Sequence, residues 1–210
     1  MPALPLLKEL ITLLAGYLLG SLPTGYLTVR WLDGRDLRLL GSGSTGATNV
    51  LRQVGKGPAL LVFLVDVGKG AAAVLLAKAL QLDDGWQVAA GLAALAGHIW
   101  PIWLGWKGGK AVATALGMLL GIAWPVGLAS FGVFLIVLSL SRVVSLSSVA
   151  AAVSLPILML LSFQGGTLRP AYLALALVVA ALVIWRHRSN IKRLIAGTEP
   201  KLGQSIGSSN

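Results

Sequence analysis

Apolar residues in this chain are not spaced at helical or strand intervals. They come in long runs broken by glycine, proline and charge, at residues 6–29, 58–80, 88–104, 111–123, 127–141, 146–163 and 171–185. A helix needs ~20 predominantly apolar residues to cross the hydrocarbon core of a bilayer. The pattern therefore predicts an all-α, polytopic membrane helix bundle with seven transmembrane helices, within bounds of five to seven. The spread comes from Ala111 to Leu140, one apolar stretch interrupted by Trp124 and Pro125. Proline removes a helical hydrogen bond and clashes with the preceding turn, so this stretch reads as one long bent helix or two short ones, and two are expected.

Composition agrees with a bilayer environment. The 210 residues are 56% hydrophobic and 11% charged, with a mean hydropathy of +0.84. Seven spans leave no room for a separate soluble domain, so residues 1–210 are expected to form a single transmembrane domain. Its cytoplasmic loops are placed near 30–57, 105–111 and 141–148, with a tail over 186–210. The 26 glycines follow no Gly-X-Y period, which excludes collagen. With no cysteine and only His98 and His187, disulfides, thiolate sites and a histidine-carboxylate metal site are not expected. No residue pattern suggests a metal, nucleotide or flavin cofactor.

A net charge of +10 would suggest nucleic acid in a soluble protein. Here it reports topology, and no nucleic-acid partner is expected. Arg30, Arg35, Arg38, Arg52, Lys56, Lys107, Lys110, Arg142, Arg186, Arg188, Lys192, Arg193 and Lys201 all fall on one face of the threading, 13 of the 17 lysines and arginines. By the positive-inside rule that face is cytoplasmic, which puts the N-terminus outside and the tail inside. The first span carries Lys8 and Glu9 and lacks a clear cleavage site, so it is read as retained. Gly16 and Gly20, and Gly117 and Gly121, are four apart and suit close helix packing. Trp100, Trp103, Trp106, Trp124 and Trp185 fall near span ends, where amphipathic rings favour the headgroup layer.

Three polar segments interrupt the apolar pattern on that face. GSGSTGATNVLR, Gly41 to Arg52, combines glycines at 41, 43 and 46 with the hydroxyls of Ser42, Ser44 and Thr45, Asn49 and the planar fork of Arg52. This is an anion cradle rather than a nucleotide P-loop, since no GKS or GKT ending follows; the alternative is a flexible connector. GHIWPIWLGWKGGKAVAT, Gly97 to Thr114, places Gly108 and Gly109 between Lys107 and Lys110, just before an apolar helix. A glycine turn there is expected to present free backbone amides beside two cations, although lysines also serve topology alone. The third segment joins SRVVSLSS, Ser141 to Ser148, with Ser145 as a phosphate-binding candidate, to WRHRSNIKRLIAGTEPKLG from Trp185. On a helix, His187 and Asn190 share one face, suited to orienting a hydroxyl. The alternative is a basic tail that binds anionic lipid. Asp66 and Lys69, three apart inside a span, are expected to pair, because a lone charge at the bilayer centre costs on the order of 3 kcal/mol. His98 is expected to make an interhelical hydrogen bond.

These motifs, in this order between apolar spans from Ser21 to Gly203, resemble the bacterial membrane acyl-phosphate:glycerol-3-phosphate acyltransferase family. The resemblance implies a multi-pass enzyme of the plasma (inner) membrane with its site facing the cytoplasm. It implies transfer of a fatty acyl group from acyl phosphate to the 1-hydroxyl of glycerol 3-phosphate, giving lysophosphatidic acid and inorganic phosphate in the first step of phospholipid synthesis. An upstream enzyme that forms acyl phosphate would supply the donor. Ser42, Arg52, His187 and Asn190 then fall on catalytic positions, Lys107, Gly108, Gly109 and Lys110 on phosphate-binding ones and Glu199 on a structural one. The residues themselves add Gly41, Gly43, Asn49 and Ser145 as phosphate-binding candidates and Asp66 and Lys69 as structural support. This chain departs from the family pattern at Ser44, where asparagine is usual, and at Ala111, where a third glycine is usual.

The residues support that chemistry on their own terms. Both substrates carry phosphate, and holding two reactants together can itself supply several kcal/mol of a barrier. Acyl phosphate is an activated anhydride, so no strong nucleophile is required. No Ser-His-Asp set is evident, and the His-x4-Asp pattern is absent, since Trp103 and Lys192 occupy that spacing after the two histidines. Direct transfer without an acyl-enzyme is expected. The main alternative is a membrane transporter of small phosphorylated solutes, which would also need several spans and anion sites, although no internal repeat is evident. A structural scaffold would not need these polar loops.

Overall fold

The computed structural model of the protein describes residues 3–163 and 169–204. Nine α-helices follow one another: α1 Ala3–Ser21, α2 Thr24–Asp33, α3 Ala47–Val54, α4 Lys56–Ala79, α5 Asp84–Ile99, α6 Val112–Ser141, α7 Val144–Ser162, α8 Pro170–Arg186 and α9 Arg188–Ile195, with no strand among the described residues. Helices dominate because lipid offers no hydrogen-bond partners, so each span must satisfy its own backbone.

By length and composition five helices can cross a membrane: Leu6–Asp33, Lys56–Ala79, Asp84–Leu104, Val112–Ser141 and Val144–Ser162. The pair Pro170–Arg186 and Arg188–Ile195, bent by 61°, makes a sixth. Six result when Val112–Ser141 is counted as one span; the expected seven counts residues 111–123 and 127–141 separately. Helix α6 is not straight. Ala123 has a non-helical φ of −145° and ψ of 76°, just before Trp124 and Pro125. A methyl group on Gly127 would lie 3.1 Å from the Leu120 backbone nitrogen, and Val112 and Phe134 line one cleft, although they would sit about 33 Å apart along a straight helix. The chain therefore folds back at Ala123 into two limbs. The first limb rises only about 16 Å at 1.5 Å per residue.

Neighbouring contacts give the direction of each helix. Gly16 packs on Ala90 and Gly20 on Ala94, so α1 runs parallel to α5. Gly117 packs on Val67 and Gly121 on Val74, so the first limb of α6 runs parallel to α4. Both glycine pairs thus serve close helix approach, as their spacing suggested. Helix α4 and the first limb of α6 therefore run away from one end of the bundle, with Thr114 level with Gly70 in the middle of α4. Asp84 and Tyr172, joined by a 3.0 Å hydrogen bond, lie at the other. Helix α1 starts at that second end, and the tail packs at Leu202 against Arg142, between α6 and α7.

Leu95, Ile99, Met118, Leu155, Met159 and Leu175 fill the interior between α5 and α8, while Leu60, Leu61, Leu64, Leu75 and Leu177 point outward. One charged pair lies within this apolar body. Lys69 Nζ donates to Asp66 Oδ1 at 2.7 Å and to the Leu22 carbonyl at the break between α1 and α2. The ion pair expected of these residues is present, and both side chains are almost fully buried.

Removing one partner of a buried pair strands the other charge, at a cost of about 3–5 kcal/mol. Asp66→Ala is expected to lower the thermal midpoint of the detergent-purified protein sharply, and Asp66→Ala with Lys69→Ala to recover part of it. Equal midpoints for the single variant and the unaltered protein would remove the pair from the fold's support.

Candidate active site

Segments from four regions converge on a cleft of about 800 Å³ at the end of the bundle where the basic loops gather. The first comes from the loop before α3. Asn49 is buried at the start of that helix, and its side chain is spent on the loop itself. Its Nδ2 donates to the Leu40 and Ser44 carbonyls at 3.0 and 2.9 Å and to Leu37 at 3.4 Å, while Oδ1 accepts from the Ser42 amide. Gly41, at φ +53°, wraps so tightly that a methyl group there would stand 2.6 Å from Asn49 Oδ1. Asn49 lines the cleft but staples the loop, so it is not free as the phosphate ligand expected from sequence. Gly41 and Gly43 form the turn and do not line the cleft. The stapled loop instead presents Ser42 and Ser44 inward, with Thr48 and Arg52 one helical turn apart on α3. Arg52 is half-buried and, among the described residues, its guanidinium pairs with no carboxylate. Burial first, and Arg193 nearby, lower its pKa, while Glu199 opposes the shift.

The second comes from the loop between α5 and α6, which reaches into the bundle. The amides of Gly108 and Gly109 donate to the Ile99 and His98 carbonyls at 3.1 and 3.0 Å. Their carbonyls accept from Arg186: Nη2 reaches Gly109 at 2.9 Å and Gly108 at 3.4 Å, and Nε reaches Gly109 at 3.2 Å. The free glycine amides expected from sequence are therefore absent, because both are already paired. A Cβ on Gly109 would overlap His98 Nε2, so glycine is needed where the turn presses on that ring. Lys107 is exposed and lies outside the cleft; Lys110 points into it. Ala111 follows at φ +58°, a left-handed conformation that glycine would adopt without strain. It starts α6, and Val112 and Ala113 line the cleft where the first helical amides have no intrahelical partner.

The third and fourth regions are the start of α7 and the α8–α9 elbow with the tail. His187 and Asn190 are both buried and face the cleft, whereas Arg188 and Lys192 are exposed, the division that helical spacing predicts. His187 Nδ1 lies 2.8 Å from the Val183 carbonyl. That contact requires the proton on Nδ1, which leaves Nε2 as an acceptor. Burial, then the charge of Lys110, push the His187 pKa down to about 4, so the ring is neutral near pH 7. The tail returns over the elbow through a 2.6 Å bond from the Leu202 amide to the Arg142 carbonyl. Glu199 Oε1 accepts from Ser145 Oγ at 2.7 Å and Asn190 Nδ2 at 2.6 Å, and Oε2 from Arg193 Nε at 2.7 Å. Burial alone would raise its pKa, but these bonds from Asn190, Ser145 and Arg193 outweigh it and hold the group ionised. Lys110 Nζ donates to Asn190 Oδ1. Burial is the main cause that lowers the Lys110 pKa to about 8; Glu199 opposes it and Arg193, Arg52 and Arg186 add to it.

The cleft continues into an apolar groove of about 530 Å³ between the limbs of α6, α7 and α8. Val112, Ala113, Phe63, Phe134 and Ser148 border both spaces, and the groove runs inward past Ala152 to Leu119 and Leu155. Arg52 and Lys110 thus face an open polar space whose carboxylates, Glu199 and Asp66, are already paired. Such a space can hold an anion at its mouth and an alkyl chain along its floor. Sequence reasoning missed Thr48, the bordering phenylalanines and Arg186. Thr48 lies within GSGSTGATNVLR but is one of several hydroxyls there, the phenylalanines carry no motif signal, and Arg186 looks like any other basic residue of the tail. Among the described residues, no three histidine, aspartate or glutamate side chains group as a metal site.

Residues 10–197 match the profile of the glycerol-3-phosphate acyltransferase family. A protein named glycerol-3-phosphate acyltransferase from Prochlorococcus marinus (strain MIT 9313) is 74% identical over 95% of this chain and 98% of its own length. One of the same name from Synechococcus sp. (strain CC9902) is 69% identical over 95% and 98%. The crystal structure of PlsY (YgiH), an integral membrane glycerol 3-phosphate acyltransferase, in its glycerol 3-phosphate form superposes with a TM-score of 0.84. Its identity is 42%, and the match covers 93% of this chain and 96% of that one. The lysophosphatidic acid form gives 0.81 at 39% identity.

With a pKa near 8, Lys110 is cationic below that pH and loses its charge above it. Inorganic phosphate, followed by tryptophan fluorescence, is expected to bind progressively more weakly as pH rises through 8 and toward 9. Lys110→Arg, charged throughout, is expected to flatten the profile, and a profile unchanged by that substitution would exclude Lys110 as its origin.

Proposed function

This chain belongs to the glycerol-3-phosphate acyltransferase family, and from that premise we propose how its cleft carries the reaction. The enzyme transfers a fatty acyl group from acyl phosphate to the 1-hydroxyl of glycerol 3-phosphate, giving lysophosphatidic acid and inorganic phosphate. The observation that carries this reading is the junction of an open cationic cleft with an apolar groove. The donor's chain lies in the groove and its phosphate at the cleft, beside Arg52 and Ser42. The acceptor's phosphate lies against Lys110 and the first amides of α6, where the helix dipole adds positive potential.

The 1-hydroxyl oxygen attacks the acyl carbonyl carbon, a new ester C–O bond forms, and the bond to the donor phosphate breaks. Negative charge grows on the carbonyl oxygen and then on the departing phosphate. Arg52, Lys110 and backbone amides are cationic or dipolar partners already in place for it. Neutral His187 accepts a hydrogen bond from the hydroxyl at Nε2 and aims its lone pair. A ring with a pKa near 4 is a weak store for the hydroxyl proton, so the proton passes to a phosphate oxygen, whose second pKa is ≈ 6. Asn190 acts by holding Lys110 and Glu199 in register rather than by touching the hydroxyl. The cleft end of the bundle, which gathers most of the basic residues, faces the cytoplasm of a bacterial inner membrane. Acyl phosphate reaches it from an upstream acyl-phosphate-forming enzyme. No observation favours the transporter alternative.

The direct test is phosphate release from palmitoyl phosphate by the purified protein, with and without glycerol 3-phosphate, while lysophosphatidic acid is followed. Acceptor-dependent release matched by product is expected, and its absence from a folded sample would reject the reading. Arg52→Ala is expected to lower turnover by about 100-fold or more, the scale of a lost oxyanion partner, with the protein still inserted. Ala152→Phe fills the groove, so it is expected to impair palmitoyl phosphate far more than a short-chain acyl phosphate. Equal impairment of both donors would remove the chain from that groove.

A further inference from the structure

We propose that Arg186 is a positioning residue for the acceptor phosphate, acting through the Gly108–Gly109 turn that aims Lys110 and the start of α6. The inference rests on the acyltransferase reading above for its substrate, but its geometry does not. Arg186 ends α8, directly before His187. Its guanidinium donates across to both glycine carbonyls and, among the described residues, pairs with no carboxylate. The opposite edge of the turn is held by the His98 and Ile99 carbonyls.

The turn is thus gripped from both sides, and of the gripping residues only His98 also lines the cleft. Two links then join the loop to the α8–α9 elbow: Arg186 to the glycine carbonyls and Lys110 to Asn190. The first fixes the backbone and the second only a flexible side chain. If Arg186 is shortened, the carbonyls of Gly108 and Gly109 lose their donors, and the peptide planes that lead to Lys110 and Ala111 are free to rotate. Glycines resist such rotation least. Among the described residues, the donor side of the cleft, built on the Asn49-stapled loop, makes no hydrogen bond to Arg186, Gly108 or Gly109; its Arg38 reaches the α5–α6 loop at the Leu104 carbonyl.

The predicted signature is therefore one-sided. In Arg186→Gln the KM for glycerol 3-phosphate is expected to rise on the order of tenfold, the scale of one lost charge-assisted hydrogen bond. The KM for palmitoyl phosphate and kcat are expected to stay near those of the unaltered enzyme. Arg186→Lys keeps charge and one donor and is expected to fall between the two. Arg188→Gln, at an exposed neighbour on the same elbow, is expected to change nothing. A folded Arg186→Gln with an unchanged acceptor KM would overturn the proposal. So would equal losses in both KM values and kcat, which would make Arg186 a residue of the fold only. Should Arg186→Gln fail to fold, Arg186→Lys must show the same acceptor-selective rise at smaller size, and a rise shared by both substrates there would also overturn it. If even the unaltered protein shows no acceptor-dependent turnover, the functional reading fails by itself. Inorganic phosphate binding by tryptophan fluorescence, compared in the unaltered protein and Arg186→Lys, then decides for or against the clamp: weaker binding in the variant supports it and equal binding overturns it.

Discussion

Non-helical backbone can enter a membrane protein only where each peptide group finds a partner. The loop between α5 and α6 meets that condition at Gly108 and Gly109, with amides on the His98 and Ile99 carbonyls and carbonyls on the Arg186 guanidinium. Because the loop can penetrate, α6 begins inside the bundle rather than at its rim, and its first limb needs only half the length of a crossing. The limb's glycines press against α4, and its return after Ala123 brings Phe131 and Phe134 back to wall the groove. The cleft, the groove and the short limb are consequences of one satisfied turn.

Charge is distributed by the same economy. The cleft contains acids, yet Glu199 is committed to Ser145, Asn190 and Arg193, and Asp66 to Lys69. What stays uncommitted is cationic. The tail brings Glu199 back onto the elbow, so the same carboxylate that locks Asn190 also ties the segment after α9 to α7. Lys110 is held near its neutral point by burial and by neighbouring arginines, and a phosphate dianion would relieve that repulsion as it binds.

The apolar runs made the helical membrane class and most span positions readable, because burial in lipid leaves its mark on every residue of a span. The face carrying the polar motifs was readable too, since charge counts need no geometry. Contacts across the chain were not. Lys107 and Lys110 look equivalent in sequence, but the turn between them is oriented by carbonyls about ten positions upstream, and only Lys110 is turned inward. Asn49 reads equally as ligand or staple, and its partners, all in its own loop, decide for staple. Pro125 announces a break in α6 but not its angle. Arg186 bonds to a carbonyl 77 residues away, a distance that no local pattern spans.

The placement of the groove has a consequence for what happens after the chemistry. It descends from the cleft toward the middle of the bundle, parallel to the helices. On the proposed reaction, product has its phosphate in the cleft and its hydrocarbon tail along the groove, aligned as a lipid is in the adjoining leaflet. Product can therefore join that leaflet without somersaulting and without drawing its tail through water. An architecture proposed to bring two phosphates together would also issue the new amphiphile in the posture that its next surroundings require.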